Sequence, residues 1–389
     1  MYPTLRFPDG LDTAGFLRTF WQQRPLLMPN ALPGFHSPVS PDELAGLAGE
    51  AEVEARLVLE RGRRPWEVRH GPFDADDFAS LPETHWTLLV QDVDKHLPEV
   101  AALLDRFSFI PLWRLDHIMI SYAADQGSVG PHTDAYDVFL IQTLGRRRWR
   151  IDPHPDPAAP CVPGLDLRIL DRFEPREQWL LEPGDILYLP PGVPHWGIAE
   201  GPCMTWSVGL RAPDWRELGA AWCEQVCATR LPPGRYRDPE PAPPRHRGEI
   251  PGQVLTQVRG RLEEALLGAD DDSFAAWLGA HLTEPKEHLE VYPRDQPLTQ
   301  TELRQALGQC GGLERGPSRI LFSQVGDAHL LLFAGGETHR LPGDCLGFVA
   351  LLSASRTLTP GQLAPWLDAP PCLALLCTLY NQGHYELVD

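Results

Sequence analysis

Three side chains in the sequence have the types and the spacing of a metal site. His132 and Asp134 are two residues apart in GPHTDAYDVFLIQ, so both project from one face if this segment is an extended strand. The third ligand, His195, follows a Pro/Gly turn in LEPGDILYLPPGVPHWG. Two imidazoles and one carboxylate leave coordination positions open, and this donor set fits iron in an oxygenase better than zinc. We predict that these three residues bind Fe(II), against the alternative that each is an ordinary polar side chain in a chance pattern.

An arginine-rich segment, GRRRWR, supplies a candidate anion site for a dicarboxylate co-substrate. Side chains alternate along a strand, so Arg147 and Trp149 share one face, while the other face carries Arg146, Arg148 and Arg150. The interior of a barrel favours the bulky Trp149, which predicts Arg147 inside, where a guanidinium can bind a carboxylate with two hydrogen bonds. The alternative is that the whole run is a solvated edge strand.

The elements around these residues indicate a barrel. Short runs rich in β-branched and aromatic residues, separated by Gly and Pro clusters, extend from Ile118 to Leu210; examples are IMISY, DVFLIQTL, RRRWRI, QWLLE, DILYL and MTWSVGL. This pattern predicts a cupin-type β-barrel or jelly roll. Before it, residues 15–110 mix helical and irregular patterns, including an apparent helix in FLRTFWQQRPLLMPN that ends at Pro25, and we expect them to cover the barrel.

The chain after Arg211 is predicted to be helical. Asp214 is the expected N-cap of a first helix with Leu218, Trp222 and Val226 on one stripe, and two further helices carry apolar faces. The Pro-rich segment LPPGRYRDPEPAPPRHRGEIPG is predicted to be an extended connector after the first of these helices. These helices have more apolar surface than they can bury alone, so docking on another subunit is a reasonable hypothesis.

The last segment, from about Leu298, is predicted to form helices and two or three strands around the turn AGGE, a combination typical of a winged-helix module. Such modules often bind DNA, but this one has more Asp and Glu than Lys and Arg. The whole chain has a net charge of −19, which repels nucleic acid and favours a basic macromolecular partner, unless the acidity serves only solubility. We therefore expect no direct nucleic-acid binding.

Composition and targeting signals are those of an ordinary folded protein. The 389 residues contain 43% hydrophobic residues but no apolar run of about 18, and the start MYPTLRFPDG does not resemble a signal peptide. We expect a cytoplasmic protein without membrane association. The eight cysteines include no CxxC pair and are expected to be reduced; Cys223 and Cys227, at helical spacing, lack partner ligands for a metal.

Taken together, the motifs resemble those of the bacterial ribosomal oxygenases of the JmjC type, the arginine hydroxylases of ribosomal protein uL16. The matching stretches lie in order between residues 16 and 213: FWQQRPLLM, RHGPF, WTLLVQDVD, FIPLWRLDHIMISYA, GPHTDAYDVFLIQ, GRRRWR, PGDILYLPPGVPHWG and SVGLRAP. The resemblance implies that His132, Asp134 and His195 are the iron ligands. It also implies that Arg147 binds the distal carboxylate of 2-oxoglutarate and that Ser121 contributes a hydroxyl contact to this co-substrate.

The resemblance further implies an α+β architecture in three parts. Residues 1–212 would form a double-stranded β-helix, the cupin or JmjC barrel, with an N-terminal helical cover. Residues 213–290 would form a helical dimerisation domain and residues 291–389 a winged-helix domain. The expected assembly is a homodimer.

The implied reaction is the 2-oxoglutarate-dependent hydroxylation of an arginyl residue of uL16. A cationic side chain needs an acidic mouth, and Asp125 and Asp137 flank the triad in sequence. We predict that Asp125 contacts the guanidinium; the alternative is a surface carboxylate with no role. Two other functions remain open: a JmjC hydroxylase or demethylase acting on a histidyl or lysyl residue, and a non-catalytic cupin joined to a winged-helix regulator.

Overall fold

A computed structural model gives the fold and describes residues 5–8, 10–60, 66–154, 159–165, 167–237, 246–326 and 329–388. The chain divides into two compact units, the first made of Met1–Ala212 with Glu287–Leu289 and the second of Pro213–Lys286 with Glu290–Asp389. The predicted three-part division, with a separate dimerisation domain over 213–290, stays a prediction. No helix in the described ranges has the length and apolar character needed to span a bilayer.

The first unit contains five short helices and nine strands in its described part. In chain order they are α1 (Thr13–Thr19), β1 (Leu26–Met28), α2 (Pro41–Leu47), β2 (Ala55–Glu60), β3 (Trp66–His70), α3 (Ala75–Ala79), β4 (Trp86–Val90), α4 (Val93–His96), α5 (Pro98–Ala101), β5 (Leu115–Ala123), β6 (Val138–Ile151), β7 (Glu177–Leu181), β8 (Ile186–Leu189) and β9 (His195–Leu210). A 3₁₀ helix, Ala102–Phe107, follows α5.

The nine strands form one antiparallel sheet in the order β1-β8-β6-β9-β5-β4-β2-β3, with β7 paired to β6. β6 and β9 pair along almost their whole lengths, and the register shifts between Gln142 and Arg146. Gly145 lies in this irregularity with φ +61, and a Cβ there would stand 2.1 Å from the carbonyl oxygen of Pro202. Only glycine fits, and the bulge lets one long strand turn through the barrel.

The barrel core is built from aromatic and branched side chains of opposing strands. Phe16 of α1 is fully buried and packs edge-on against Tyr188 of β8, with ring centroids 5.0 Å apart, and its ring lies 5.8 Å from that of Phe139 on β6. Trp206 of β9 is also fully buried. The predicted barrel is therefore confirmed, although β6 and β9, with 14 and 16 residues, are longer than the short strands expected.

The N-terminal segment differs from its prediction as a helical and irregular cover. The helix α1, capped by Asp12, ends at Thr19, so the expected continuation to Pro25 is wrong. The residues Leu26–Met28 instead form β1 and pair with β8, and β2, β3 and β4 extend the sheet beyond β5. The apolar residues of this segment have helical spacing, but residues Leu26–Met28 pair with the edge of β8 instead. This pairing depends on a strand that is distant in the sequence, so the local pattern could not show it.

The second unit contains seven helices and six strands in its described part. They are α6 (Trp215–Arg230), α7 (Gly252–Leu267), α8 (Asp271–Thr283), α9 (Gln300–Leu307), β10 (Gly312–Arg315), β11 (Ile320–Val325), β12 (His329–Ala334), β13 (Glu337–Pro342), α10 (Leu346–Ala354), β14 (Thr357–Leu358), α11 (Pro360–Leu363), α12 (Pro370–Asn381) and β15 (Tyr385–Val388). Short 3₁₀ helices span Glu287–Leu289, Gly343–Cys345 and Ala364–Trp366, the first of them assigned to the other unit.

The C-terminal part of this unit has the predicted combination of helices and small sheets. β11, β12 and β13 form one antiparallel sheet, and β14, β10 and β15 form another. The turn between β12 and β13 contains Gly335 and Gly336, both with positive φ, which is the backbone of the tightest hairpin turns. The predicted winged-helix character is confirmed, with three strands in the wing sheet.

The helices α6, α7 and α8 are the three helices that were predicted after Arg211. Asp214 caps α6 by accepting from the backbone N–H groups of Arg216 and Glu217. Trp222 of α6 packs against Phe274 and Trp277 of α8 at 5.2 and 4.8 Å between ring centroids. The predicted extended connector runs partly through residues 238–245, which lie outside the described residues.

Candidate metal centre

The two predicted histidine ligands are neighbours across a short antiparallel bridge. The backbone N–H of His132 donates to the carbonyl of His195 over 3.0 Å, and the reverse bond measures 2.9 Å. Their imidazole ring centroids are 4.2 Å apart. His195 begins β9 and His132 lies in the loop between β5 and β6, so backbone pairing alone brings together residues 63 positions apart in sequence.

Asp134 completes the cluster. Its carbonyl accepts from the N–H of Gly192 over 2.7 Å, which fixes the backbone after His132 against the turn before His195. Its carboxylate Oδ2 lies 3.6 Å from Nε2 of His195. One potential ligand atom from each of the three side chains lies within 4.8 Å of the others, and among the described residues this is the one group of three or more that meets this criterion.

The second nitrogen of each imidazole is engaged by backbone. Nδ1 of His132 lies 2.9 Å from the carbonyl of Gly130, and Nδ1 of His195 lies 2.9 Å from the carbonyl of Val193. Because a carbonyl oxygen can only accept, both Nδ1 atoms carry the proton and both Nε2 atoms present a lone pair. Carbonyl bonds of this kind are the usual way in which proteins orient a histidine toward a metal.

Burial keeps His195 neutral. Its side chain is 3% exposed, and desolvation, followed by the neighbouring charge of His132, lowers its pKa to about 4 despite the opposing effect of Asp134. A neutral imidazole is the form that binds a divalent cation. Two Nε2 atoms and one carboxylate, with His132 and Asp134 partly exposed and His195 buried, therefore fit a hard to intermediate divalent metal such as Fe(II).

Arg147 lies inside the barrel as predicted, on the same face of β6 as Trp149. It is 3% exposed, and burial lowers the pKa of its guanidinium without removing its charge. Its NH1 donates to Ser121 over 3.1 Å and to Thr205 over 3.3 Å, while its buried Nε has no partner in the described structure. No carboxylate pairs with it in the described ranges, and a buried charge without a counter-ion is costly.

Thr205 and Gln142 belong to the same polar group and were missed by the sequence reasoning. The Thr205 hydroxyl donates to Oε1 of Gln142 over 3.0 Å and also receives the Arg147 bond. Gln142 is fully buried and Thr205 is 1% exposed. The register of β6 shifts between Gln142 and Arg146, so side chains before and after the shift do not follow one alternation. Counting residues back from Arg147 could therefore not show that Gln142 faces the same polar group.

The other arginines of the run face away from the barrel interior. Arg148 forms an ion pair with Glu200, Arg146 lies 4.0 Å from the same carboxylate, and Arg150 stacks over Trp196 at 5.3 Å from its ring centre. β6 is paired on both sides, to β9 and to β7 or β8. The alternative of a solvated edge strand is therefore wrong.

The two flanking aspartates have different environments. Asp125 is partly exposed, and its Oδ1 accepts the backbone N–H of Gly201 over 2.7 Å, a bond that is the main cause of its lowered pKa. The side chain and the backbone N–H of Gln126 also hydrogen-bond to this carboxylate. It is thus an ionised, partly exposed carboxylate that backbone and side-chain donors hold in place.

Asp137 is fully buried, and three side chains occupy its carboxylate. Arg114 pairs with it at 3.0 Å, the Tyr188 hydroxyl donates to it over 2.5 Å, and Gln22 donates over 3.1 Å. These contacts join the N-terminal segment to the barrel and indicate a structural role. The predicted part of Asp137 in substrate binding stays a prediction that its contacts do not favour.

Comparison with known proteins gave matches over both units. Residues 102–218 match the family model of the JmjC domain, and residues 266–386 match that of the ROXA-like winged helix. The chain is 39% identical to the Escherichia coli K12 protein named ribosomal protein uL16 3-hydroxylase, with 98% of each protein covered.

Solved structures of Escherichia coli YcfD share the fold along the whole chain. The X-ray structure of YcfD superposes with a TM-score of 0.85 at 37% identity and covers 100% of both chains. YcfD, a ribosomal oxygenase, in complex with cobalt and 2-oxoglutarate superposes with a TM-score of 0.81 at 35% identity and covers 99% of each.

Proposed function

The chain belongs to the JmjC-type ribosomal oxygenases, and on that premise we propose that it is an Fe(II)- and 2-oxoglutarate-dependent hydroxylase of an arginyl residue in ribosomal protein uL16. The proposal depends mainly on one observation: potential ligand atoms of His132, Asp134 and His195 lie within 4.8 Å of one another, and backbone carbonyls orient both imidazoles. The Escherichia coli relative is named for the 3-hydroxylation of uL16.

In this proposal the metal is held by Nε2 of His132, Nε2 of His195 and the carboxylate of Asp134. The ligand atoms lie close enough to share one ion, and the two Nδ1–H bonds remove the competing tautomer. When bound, iron and 2-oxoglutarate supply the oxidising power that inserts one oxygen atom of O₂ into a C–H bond, with decarboxylation of 2-oxoglutarate to succinate.

The distal carboxylate of 2-oxoglutarate is assigned to Arg147, with Ser121 and Thr205 beside it. A buried guanidinium without an internal carboxylate gains most from a bidentate anion, and the two hydroxyls hold NH1 in place. Gln142 in turn orients Thr205. The apolar walls of the barrel exclude water from this pair and so strengthen it.

The guanidinium of the substrate is assigned to Asp125. Its carboxylate is ionised and partly exposed, which suits a cationic side chain. The Asp125→Asn variant tests this because the amide oxygen keeps the bond from Gly201 while the charge is lost. We expect KM for a uL16 fragment to rise by about tenfold with little change in KM for 2-oxoglutarate. Unchanged kinetics for the fragment would reject the assignment.

The function itself is tested by turnover of a uL16 fragment with Fe(II), 2-oxoglutarate and O₂. We expect succinate to form and one arginine of the fragment to gain the mass of one oxygen atom by mass spectrometry. A gain only on a histidyl or lysyl residue would transfer the assignment to the alternative hydroxylases. No succinate from any substrate would favour the non-catalytic cupin.

A homodimer is proposed on the exposed face of α7. Leu255, Val258, Leu262 and Leu266 repeat on one stripe and are 56%, 43%, 45% and 37% exposed. A second copy is the partner expected to cover them, because an identical apolar stripe is self-complementary about a twofold axis. The variant Leu262→Asp should be monomeric by light scattering, whereas Gln253→Asp, at an exposed position of the same helix, should keep the dimer. A monomeric natural protein would refute the proposal.

We further propose that the protein acts in the cytoplasm and does not bind DNA. A ribosomal substrate favours action in the cytoplasm, and the acidic winged-helix unit favours a protein partner over DNA. A gel-shift titration with duplex DNA near physiological salt should show no complex at micromolar protein. A complex that withstands such salt would contradict this.

A further inference from the structure

A buried hydrogen-bonded connection joins the loop before His132 to the residue after His195. The indole N–H of Trp196 donates to the Ser128 hydroxyl oxygen over 2.7 Å, and the backbone N–H of Gly130 donates to the same oxygen over 3.0 Å. Ser128 is 2% exposed. One oxygen atom therefore holds two donors that belong to the two separate segments carrying the histidine ligands.

The connection continues to the imidazole itself. The carbonyl of Gly130 accepts from Nδ1 of His132 over 2.9 Å, so the orientation of this glycine decides where Nε2 of His132 points. Gly130 has φ +77, and a Cβ added to it would lie 3.0 Å from Ile169 and 3.1 Å from Trp66. Any side chain at this position would displace Ile169 and Trp66, which explains the glycine. Because glycine has no side chain that could pack, hydrogen bonding is what orients Gly130.

The other end of the connection is equally close to a ligand. Trp196 directly follows His195. Its indole N–H bonds to Ser128, and the guanidinium carbon of Arg150 lies over its ring, 5.3 Å from the ring centre. The backbone bridge between His132 and His195 joins the two segments a second time. Two independent links thus fix the spacing of the imidazoles.

We propose that Ser128 is a positioning residue for the metal, acting on His132 through Gly130 and on the His195 segment through Trp196. The inference rests on the proposed metal site. Removing the hydroxyl leaves the N–H groups of Gly130 and Trp196 without their acceptor, and the Gly130 carbonyl loses its fixed direction. Outer contacts of this type typically change metal affinity by tenfold to a hundredfold.

The test measures Co(II) binding to the metal-free full-length protein by visible absorption. We expect Ser128→Ala to weaken Co(II) binding by about tenfold and Trp196→Phe, which keeps the ring but loses the N–H, to weaken it less. The matched control is Ser353→Ala in the second unit, where a 4% exposed serine donates to the Val349 carbonyl over 2.8 Å. This control should bind Co(II) as the natural protein does, although it also loses a buried hydroxyl.

Every outcome of these Co(II) titrations either supports or overturns the positioning role of Ser128. Co(II) affinity of Ser128→Ala within about twofold of the natural protein would overturn the inference, because residues that orient metal ligands have larger effects than this. An equal loss in Ser353→Ala would also overturn it, because such effects are local. If Ser128→Ala does not fold, Trp196→Phe decides: weakened binding supports the role of Ser128 and natural affinity rejects it.

A parallel titration of His132→Ala separates this inference from the proposed function. Loss of Co(II) binding in that variant, with natural affinity in Ser128→Ala, rejects only the positioning role. Natural affinity in His132→Ala rejects the metal site itself, whatever Ser128→Ala does.

Discussion

At the scale of single residues, the barrel interior contains one cation whose charge the described part of the chain does not balance. The guanidinium of Arg147 is bonded only to hydroxyl oxygens, of Ser121 and Thr205. Burying a charge without a counter-ion is costly, so a protein keeps such a group where a ligand supplies the opposite charge. A bound carboxylate would offset the free-energy cost of burying this charge.

Replacing Arg147 should therefore affect the co-substrate more than the metal. We expect Arg147→Met to raise KM for 2-oxoglutarate by roughly tenfold to a hundredfold, the loss of a charge-assisted pair, while Co(II) affinity stays the same. Arg146→Met is the matched control because its side chain, 53% exposed, lies on the opposite face of β6. Equal effects of the two variants in a kinetic assay would contradict the assignment.

At the scale of elements, β6 and β9 are shaped to bring this arginine and the imidazoles together. Gly197 of β9 lies opposite Trp149, and a Cβ there would stand 2.8 Å from the Trp149 ring and 2.9 Å from Nε of Arg147. The absence of a side chain on β9 is what allows both large side chains of β6 to lie flat inside the barrel.

A methyl group at Gly197 should displace the anion site. We expect Gly197→Ala to raise KM for 2-oxoglutarate by roughly tenfold, since overpacking moves both neighbours of the new methyl group. Gly219→Ala, in α6 and with no atom within 4 Å of the new Cβ, should leave KM unchanged. Steady-state kinetics on the two variants decides; a natural KM in Gly197→Ala would show that the contact is not tight.

The small sheets of the second unit contain a buried histidine that makes their stability depend on pH. His384 is 4% exposed and hydrogen-bonded to Ser318 at 2.7 Å. Burial, and then the nearby charge of His339, lower its pKa from 6.5 to about 4, with Glu337 opposing. The unfolded chain takes up this proton first, so stability is complete above pH 6.5 and falls as the pH drops toward 4.

We expect up to about 3 kcal/mol of unfolding free energy to be lost over that window. Calorimetry of His384→Gln between pH 7 and 4.5 should show a smaller loss of stability on acidification than the natural protein shows. The control His246→Gln replaces an exposed histidine and should keep the natural pH dependence. An unchanged slope in His384→Gln would mean that other groups dominate.

At the scale of the whole molecule, the net charge of −19 acts on the encounter with a basic protein. Long-range attraction raises association rates and is screened by salt over about 10 Å at 0.1 M. We expect kcat/KM for a uL16 fragment to fall severalfold between low salt and about 0.3 M, with kcat nearly constant. The turnover of 2-oxoglutarate without protein substrate is the control, and an equal salt effect on both would exclude steering.

The sequence by itself determined the features that depend on near neighbours. The spacing of His132 and Asp134 predicted a shared face, alternation along β6 predicted Arg147 inside, and the capping role of Asp214 marked the start of α6. These inferences are reliable because strand and helix periodicity, and capping, are properties of a few consecutive residues.

Only the tertiary structure decided which distant residues meet. Thr205 lies 58 positions from Arg147 and Ser128 lies 68 from Trp196, and no local pattern indicates either pair. The addition of β1 to β4 to the sheet also depends on pairing between distant segments. The same holds for the burial of Asp137 against Arg114 and Tyr188. Strand pairing and burial depend on the global arrangement of the chain, which one segment of sequence does not specify.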